Sequence, residues 1–236
     1  MTVTTLDRLL GGRVLLEQPA DGLRAAVDAV LLAAAVPARP GDAVLELGCG
    51  TGVAFLCLAA RVAGLTIHAV DLDPALVPLA RANAGRAGLT TEILEADMRR
   101  PMPPVRHAFA NPPYWPAGTA SPNPLRRGAA HEGTAGLAAW AAALALPVDR
   151  RGTVTMILPA ARFSEAAAAL RASGCGGLGL LPIWPRAGQP ARRVIIRGIK
   201  GGRGPDRLLP GLVLHGETGF TAAAEAVLRD AQALPF

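Results

Sequence analysis

Residues 45–52 read Leu45-Glu46-Leu47-Gly48-Cys49-Gly50-Thr51-Gly52. A short apolar run, 43–47, leads into three glycines at alternate positions, and an apolar helical pattern follows over 53–62. Strand, glycine turn and helix in that order open a βαβ unit, and the same rhythm repeats outward along the chain. The pattern predicts strands at 65–70, 92–96, 106–110, 153–158, 178–184 and 194–199, with 208–215 as a further edge strand. Helices are expected over 74–87, 137–146 and 160–172, and from Thr221, a plausible N-cap, to about 232. The fold class is therefore α/β: a doubly wound, mostly parallel seven-stranded sheet with helices on both faces. Upstream, residues 1–40 are expected to form a helical segment packed on that domain, its helix at 27–36 stopped by Pro37. One domain over 1–236 accounts for the whole length.

Composition narrows the function. Hydrophobic residues make up 51% and charged residues 18%, too apolar for a disordered chain and too often interrupted by charge for a membrane protein. No charged stretch followed by an apolar run opens the chain, so a cytoplasmic location and no membrane partner are expected. Cys49, Cys57 and Cys175 form no CxxC pair, which excludes a disulfide framework. The spacing of His68, His107, His131 and His215 suggests no metal site. Lys200 is the one lysine and Gly-Gly follows it, so there is no GxxxxGK[ST] phosphate loop. No serine sits in a G-x-S-x-G elbow.

In a doubly wound sheet, ligands bind beyond the C-terminal ends of the strands, where strand order reverses. Each chemically suggestive residue is expected at such an end. Gly48, Gly50 and Gly52 permit a tight turn and close approach of a ligand to the backbone. Asp71, nineteen residues after Gly52, closes the second strand and can accept hydrogen bonds from a ribose diol. The G-x-G-x-G spacing lacks the period that seats a pyrophosphate. Glu46 favours a ligand carrying positive charge. S-adenosylmethionine, with a sulfonium, an ammonium, a ribose and no phosphate, fits these features. Asp97, at the end of the third strand, is placed to accept from an adenine amino group. Asp73, just before Pro74, reads as a helix cap.

Asn111-Pro112-Pro113-Tyr114 follows the fourth strand. The lone pair of an amine attached to a base, or of a side-chain amide, is conjugated and poorly nucleophilic. Two acceptors aimed at its N–H bonds draw it toward tetrahedral geometry. The Asn111 side-chain carbonyl and the Pro112 backbone carbonyl are those acceptors, and the Pro-Pro segment is stiff and adds no competing donor. Tyr114 offers a flat face for a planar substrate.

In these residues the chain resembles class I SAM-dependent methyltransferases, which have a Rossmann-like fold. Glu46, Gly48, Gly50, Gly52, Asp71 and Asp97 are similar to their cofactor motifs, and Asn111 to Tyr114 to the catalytic motif of the N-directed members. The resemblance extends to the bacterial family that methylates adenine N6 next to the anticodon of a valine tRNA. It is carried by Gln18-Pro19, Gly22, Arg24 and residues 28–33 near the start, and by 212–216, Phe220-Thr221 and Glu225-Ala226 near the end. It implies a tRNA partner, catalytic roles for Asn111, Pro112 and Tyr114, contact of Asn111 with the cofactor, and a substrate rim at Pro113 and Trp115. Trp115 departs from the Phe or Tyr expected there. Two other reactions share the motif. A glutamine-N5 methyltransferase acting on protein usually carries a separate N-terminal helical domain, for which there is little room here. A guanine-N2 enzyme acting on rRNA usually has a duplicated domain or a Phe at position 114.

Net charge is +6. Between 186 and 207 stand Arg186, Arg192, Arg193, Arg197, Lys200, Arg203 and Arg207, opposed only by Asp206. Arg186, Arg192 and Arg193, with Arg126 and Arg127 after the catalytic turn, are the candidate RNA contacts. His131 and Glu132 are candidates for the same mouth, and Trp140 and Trp184 read as packing residues.

Overall fold

The structure is a computed structural model that describes residues 3–20, 27–113 and 136–236. Its centre is a nine-stranded sheet built from β3 (Ala43–Leu47), β4 (Thr66–Asp71), β5 (Thr91–Glu95), β6 (Val105–Ala110), β7 (Val148–Pro159), β8 (Cys175–Arg186), β9 (Arg193–Lys200), β10 (Arg207–Leu208) and β11 (Leu212–His215). The order across it is β10-β8-β9-β7-β6-β3-β4-β5, with β11 also paired to β8. Only β9 runs against the others, pairing antiparallel with both β7 and β8. The seven long strands are the expected ones. The stretch 208–215 does not form one strand but breaks at Pro210 into β10 and β11. Both are short and parallel to β8, which widens the sheet from seven strands to nine.

Both faces are covered, as the apolar runs require. Alternate residues of β3 point to opposite sides: Val44 enters the core beneath α1 (Val27–Ala35), α2 (Val53–Arg61) and α3 (Val77–Arg86), which also takes in Val227 of α6 (Ala222–Leu228). Leu45 and Leu47 join the core beneath α4 (Leu137–Ala145) and α5 (Phe163–Ala172). Thr221 does cap α6, its hydroxyl accepting from the Ala224 amide at 3.1 Å.

The first forty residues differ from expectation. They open with an antiparallel hairpin, β1 (Thr4–Leu9) and β2 (Val14–Pro19), before helix α1. Val14, Leu16 and Gln18 of β2 are buried while Leu15, Glu17 and Pro19 are half-buried, a period of two that belongs to a strand.

The C-terminus of α1 has no basic residue in its own last turn. Two arginines from elsewhere satisfy its carbonyls: Arg61 donates to Ala33 and Val36, and Arg197 to Ala35 at 3.2 Å. Arg197 also lies over the Phe236 ring, 4.1 Å from its centre, and burial lowers its pKa to about 10. This arginine is a structural cation.

His107 of β6 is buried between Thr153 (2.8 Å) and Asp42 (3.2 Å). Burial pulls its pKa from 6.5 down to about 4, against the pull of Asp42. The unfolded histidine therefore takes up a proton at a higher pH than the folded one, and stability falls on acidification through this window. The expected loss between pH 7 and pH 5 is about 2 kcal/mol, read from urea midpoints at the two pH values. His107→Gln should remove that increment; an equal loss in the variant would assign it to other groups.

Candidate active site

Strand register builds the site. Leu94, Val70, Leu47, Ala110 and Met156 form one row across β5, β4, β3, β6 and β7. One residue further on, Asp71, Gly48 and Asn111 leave three adjacent strands at the same level, with strands about 4.8 Å apart. The chain goes from β3 outward to β4 and β5 and then returns to β6 on the other side of β3. The glycine turn and Asn111 therefore flank the point where strand order reverses.

The turn is held by the end of β4. Gly48 and Cys49 donate to the Val70 carbonyl at 2.8 and 3.1 Å. Gly50 donates to Asp71 Oδ2 at 2.6 Å, and Asp71 Oδ1 accepts from the Asp73 amide at 2.9 Å. All three glycines have left-handed backbone, with φ of 67°, 55° and 93°. A Cβ at Gly48 would stand 2.9 Å from the Trp140 indole, and one at Gly52 2.4 Å from the Phe55 ring. At Gly50 no atom of the described residues lies within 4 Å of such a Cβ. Gly48 and Gly52 are thus required by packing, whereas Gly50 presents bare backbone to open space where a ligand can approach.

Glu46 lies beneath this turn. Its side chain is buried and accepts from the Phe55 amide at 2.9 Å, satisfying one of the free N–H groups of the first turn of α2. Burial pushes its pKa well above the carboxylate range. Its contact in this structure is with the helix. Asp71 is partly buried, and burial raises its pKa against the amides of Asp73 and Gly50. Its carboxylate also faces the Leu72 amide, and with about four acceptor positions it has capacity left for a hydroxyl of a diol. Asp97 is partly exposed and held in a two-pronged bond by Arg99, at 2.8 and 2.7 Å, which lowers its pKa to about 2.

Asn111 follows the last residue of β6, Pro112 is buried and Pro113 is half-buried. Tyr114, Trp115, Arg126, Arg127, His131 and Glu132 lie outside the described residues, as do Gly22 and Arg24. Arg186 and Arg193 stand at the same sheet edge as Asn111, since β8 ends and β9 begins there; Arg193 is opposite Pro159 at the end of β7. Arg186 donates to the Gly216 carbonyl at 2.5 Å, Arg193 pairs with Asp28 at 2.8 Å, and Arg192 is exposed beside them. Lys200, Arg203 and Arg207 are carried away from this edge, so the basic run 186–207 is not one surface.

Two residues that the motifs do not mark complete the site. Asn83 of α3 is fully buried and makes four hydrogen bonds. Its Oδ1 accepts from the Glu17 amide and Arg86 (both 2.8 Å), and its Nδ2 donates to the carbonyls of Glu17 (2.8 Å) and Thr51 (3.0 Å). It therefore ties the hairpin to the glycine turn. A lone Asn in a helix interior, where it is a poor helix former, is the signal that could have found it. Asn83→Ala should cost about 3 kcal/mol in chemical denaturation, because buried backbone groups at Glu17 and Thr51 lose their partners. A cost below about 1 kcal/mol would mean that water replaces the amide. Trp140, read from sequence as a packing residue, packs on the Gly48 backbone.

Comparison with known proteins places the chain. Residues 44–110 match the family model described as Methyltransferase domain. The tRNA1(Val) (adenine(37)-N6)-methyltransferase of Aeromonas salmonicida is 30% identical over 202 residues, 84% of each chain. The Shewanella amazonensis protein of that name is 29% identical over 181 residues, covering 74% of this chain and 77% of its own. Ribosomal protein L11 methyltransferase of Thermus thermophilus is 45% identical, but over only 65 residues, 28% of this chain and 25% of its own. A predicted O-methyltransferase of Agrobacterium tumefaciens, known from its crystal structure, shares the fold with a TM-score of 0.70 at 24% identity, over 87% of this chain and 97% of that one. The glycine turn on a class I methyltransferase sheet, and likeness along most of both chains, lead to one conclusion: the chain belongs to the tRNA1(Val) (adenine(37)-N6)-methyltransferase family.

Proposed function

We propose that the protein transfers a methyl group from S-adenosylmethionine to the exocyclic N6 of an adenine in tRNA. The observation that carries this reading is the row of Asp71, Gly48 and Asn111 at the strand switch point, which puts the amine-orienting residue beside the glycine turn. The open backbone at Gly50 and the free lone pairs of Asp71 suit a ribose and its substituents. Asp97 takes the adenine amino group of the cofactor, Arg99 keeping its carboxylate ionised. Glu46 keeps α2 and the turn in place from below. S-adenosylmethionine, when bound, supplies an electrophilic methyl on a sulfonium.

On the substrate side, Asn111 Oδ1 and the Pro112 carbonyl accept the two N–H bonds of the target amine and turn its lone pair out of the ring plane. Tyr114 stacks on the base, worth about 1–3 kcal/mol, with Pro113 and Trp115 at the rim. The amine that has gained the methyl is strongly acidic and passes its proton to water, so no dedicated base is needed. Positioning and electrostatics supply the acceleration. Arg126, Arg127, Arg186, Arg192 and Arg193 hold the phosphates around the target. Neutralising Arg192 and Arg193 together should flatten the log–log salt dependence of tRNA binding by about 1 to 2. An unchanged slope would remove this edge from the interface.

The test of the activity is incubation with methyl-labelled S-adenosylmethionine and either unmodified total RNA or total protein, followed by nucleoside and amino-acid analysis. Label in N6-methyladenosine of the tRNA fraction is the expected result. Label in glutamine or in guanine N2 would replace the substrate while keeping the role of Asn111.

A further inference from the structure

A group of cations without an ion pair to a described residue gathers at the edge of the sheet opposite the active site, besides exposed Arg100 and Arg192 at the active-site edge. β9, eight residues long, separates the two edges by about 23 Å. At the far edge stand Arg106 near the start of β6, Arg150 and Arg151 near the start of β7, Lys200 at the end of β9 and Arg203 just after it, while Arg207 on β10 is level with the middle of β9. All but the partly buried Lys200 are exposed. Arg150, Arg151 and Arg203 form no ion pair with a described residue. At the active-site edge Arg99, Arg162 and Arg193 are paired with Asp97, Glu165 and Asp28, Arg186 donates to the Gly216 carbonyl, and Arg100 and Arg192 are left exposed without an ion pair to a described residue. Of the nearby acids, Asp206 is paired with Arg171 and accepts from the Leu178 amide, and Asp42 is engaged by His107 and the Arg39 amide. Asp149 is the remaining one.

The backbone fixes these cations in place. Between Val105–Val148 and His107–Thr153 the register of β6 and β7 shifts, so that residues 149–152 bulge out opposite Arg106. Arg151 is left-handed there, with φ of 66°, and a Cβ on Gly152 would stand 2.4 Å from the Arg106 carbonyl. On the other side, Cβ atoms on Gly176 and Gly202 would each meet the other's carbonyl, at 2.5 and 2.6 Å, which holds the loop carrying Arg203 against β8.

We infer that this far edge is a second RNA-binding surface, contacting tRNA phosphates away from the methylated nucleotide. The inference rests on the reading of tRNA as substrate. A tRNA presents phosphates well beyond the loop that enters the site, and arginine forks suit them. A variant carrying Arg150→Ser, Arg151→Asn and Arg203→Ser tests it, with asparagine chosen because it tolerates the left-handed backbone. Circular dichroism verifies the fold. Binding is measured across a salt series to a whole tRNA and to its isolated anticodon hairpin, with methylation of both. The expected result is a log–log salt slope lower by about 2 for the whole tRNA, with hairpin binding and hairpin turnover unchanged. An unchanged slope on whole tRNA overturns the inference, as does an equal loss on both RNAs or a stronger affinity for poly-glutamate than for tRNA. Wild-type protein that methylates neither RNA would overturn the substrate reading. The far edge would then still stand if only the whole-tRNA slope fell in the variant.

Discussion

Asn111→Ala is expected to lower turnover by at least about a hundredfold while changing affinity for S-adenosylmethionine only a few-fold. The scale is that of removing one pre-placed group that acts on the reacting centre, about 10² to 10³ in rate. The split follows from position. Asn111 leaves β6 beside the turn, whereas the groups proposed to hold the ribose are Asp71 at the end of β4 and the Gly50 backbone after β3. An interaction made with the target amine as its lone pair turns toward the methyl is strongest in the transition state. Its loss lowers kcat and leaves ground-state binding of the cofactor largely intact. Isothermal titration with S-adenosylmethionine and single-turnover methylation of tRNA separate the two effects. Parallel loss of binding and turnover would make Asn111 a cofactor-holding or structural residue.

Gly52→Ala and Gly50→Ala should fail in different ways. Gly52 is at φ 93°, and its new methyl would stand 2.4 Å from the ring of Phe55, which is itself fully buried. The left-handed backbone costs about 1–2 kcal/mol for an L-residue, and overpacking about 1–3 more. A total near 3 kcal/mol is a large share of a domain stability of about 5–15 kcal/mol. It should appear as a lower urea midpoint at constant m-value and a melting temperature lower by about 6–12 °C. Gly50, at φ 55° with no described residue in the way of a Cβ, bears only the backbone cost, so its alanine variant should stay folded and lose affinity for the cofactor. Equal destabilisation of the two would show that the collision with Phe55 is relieved by a small ring shift.

The separation of the arginines shows the limit of linear reading. Arg186, Arg192, Arg193, Arg197, Lys200, Arg203 and Arg207 look like one basic surface in sequence. Folded, the strands leave Arg186, Arg192 and Arg193 at the active-site edge, carry Lys200 and Arg203 to the opposite one, hold Arg207 level with the middle of β9, and tie half-buried Arg197 to the end of α1. Charge along a strand is divided by the strand's own length, and no local pattern records which end faces the ligand. The stretch 208–215 illustrates a second limit. Its apolar residues, Leu208, Leu209 and 212–214, come in short runs that suit a buried strand, but Pro210 offers no N–H, and Gly211 comes so close to the Pro182 carbonyl that a Cβ would stand 2.3 Å from it.

By itself the amino-acid sequence determined the seven long strands, the helices that follow them, and the placing of Gly48, Asp71 and Asn111 at strand ends. Each of these is written in local periodicity, in glycines that allow a left-handed turn, or in a proline pair that stops a strand. Only the tertiary structure decided that the chain opens with a hairpin and that Asn83 ties this hairpin to the glycine turn. It also decided that Trp140 packs on Gly48, that Glu46 is bonded to α2, and which arginines remain unpaired. Apart from the hairpin's own pairing, these depend on partners between 9 and 92 residues apart, brought together by burial of both sheet faces rather than by any neighbour in the chain.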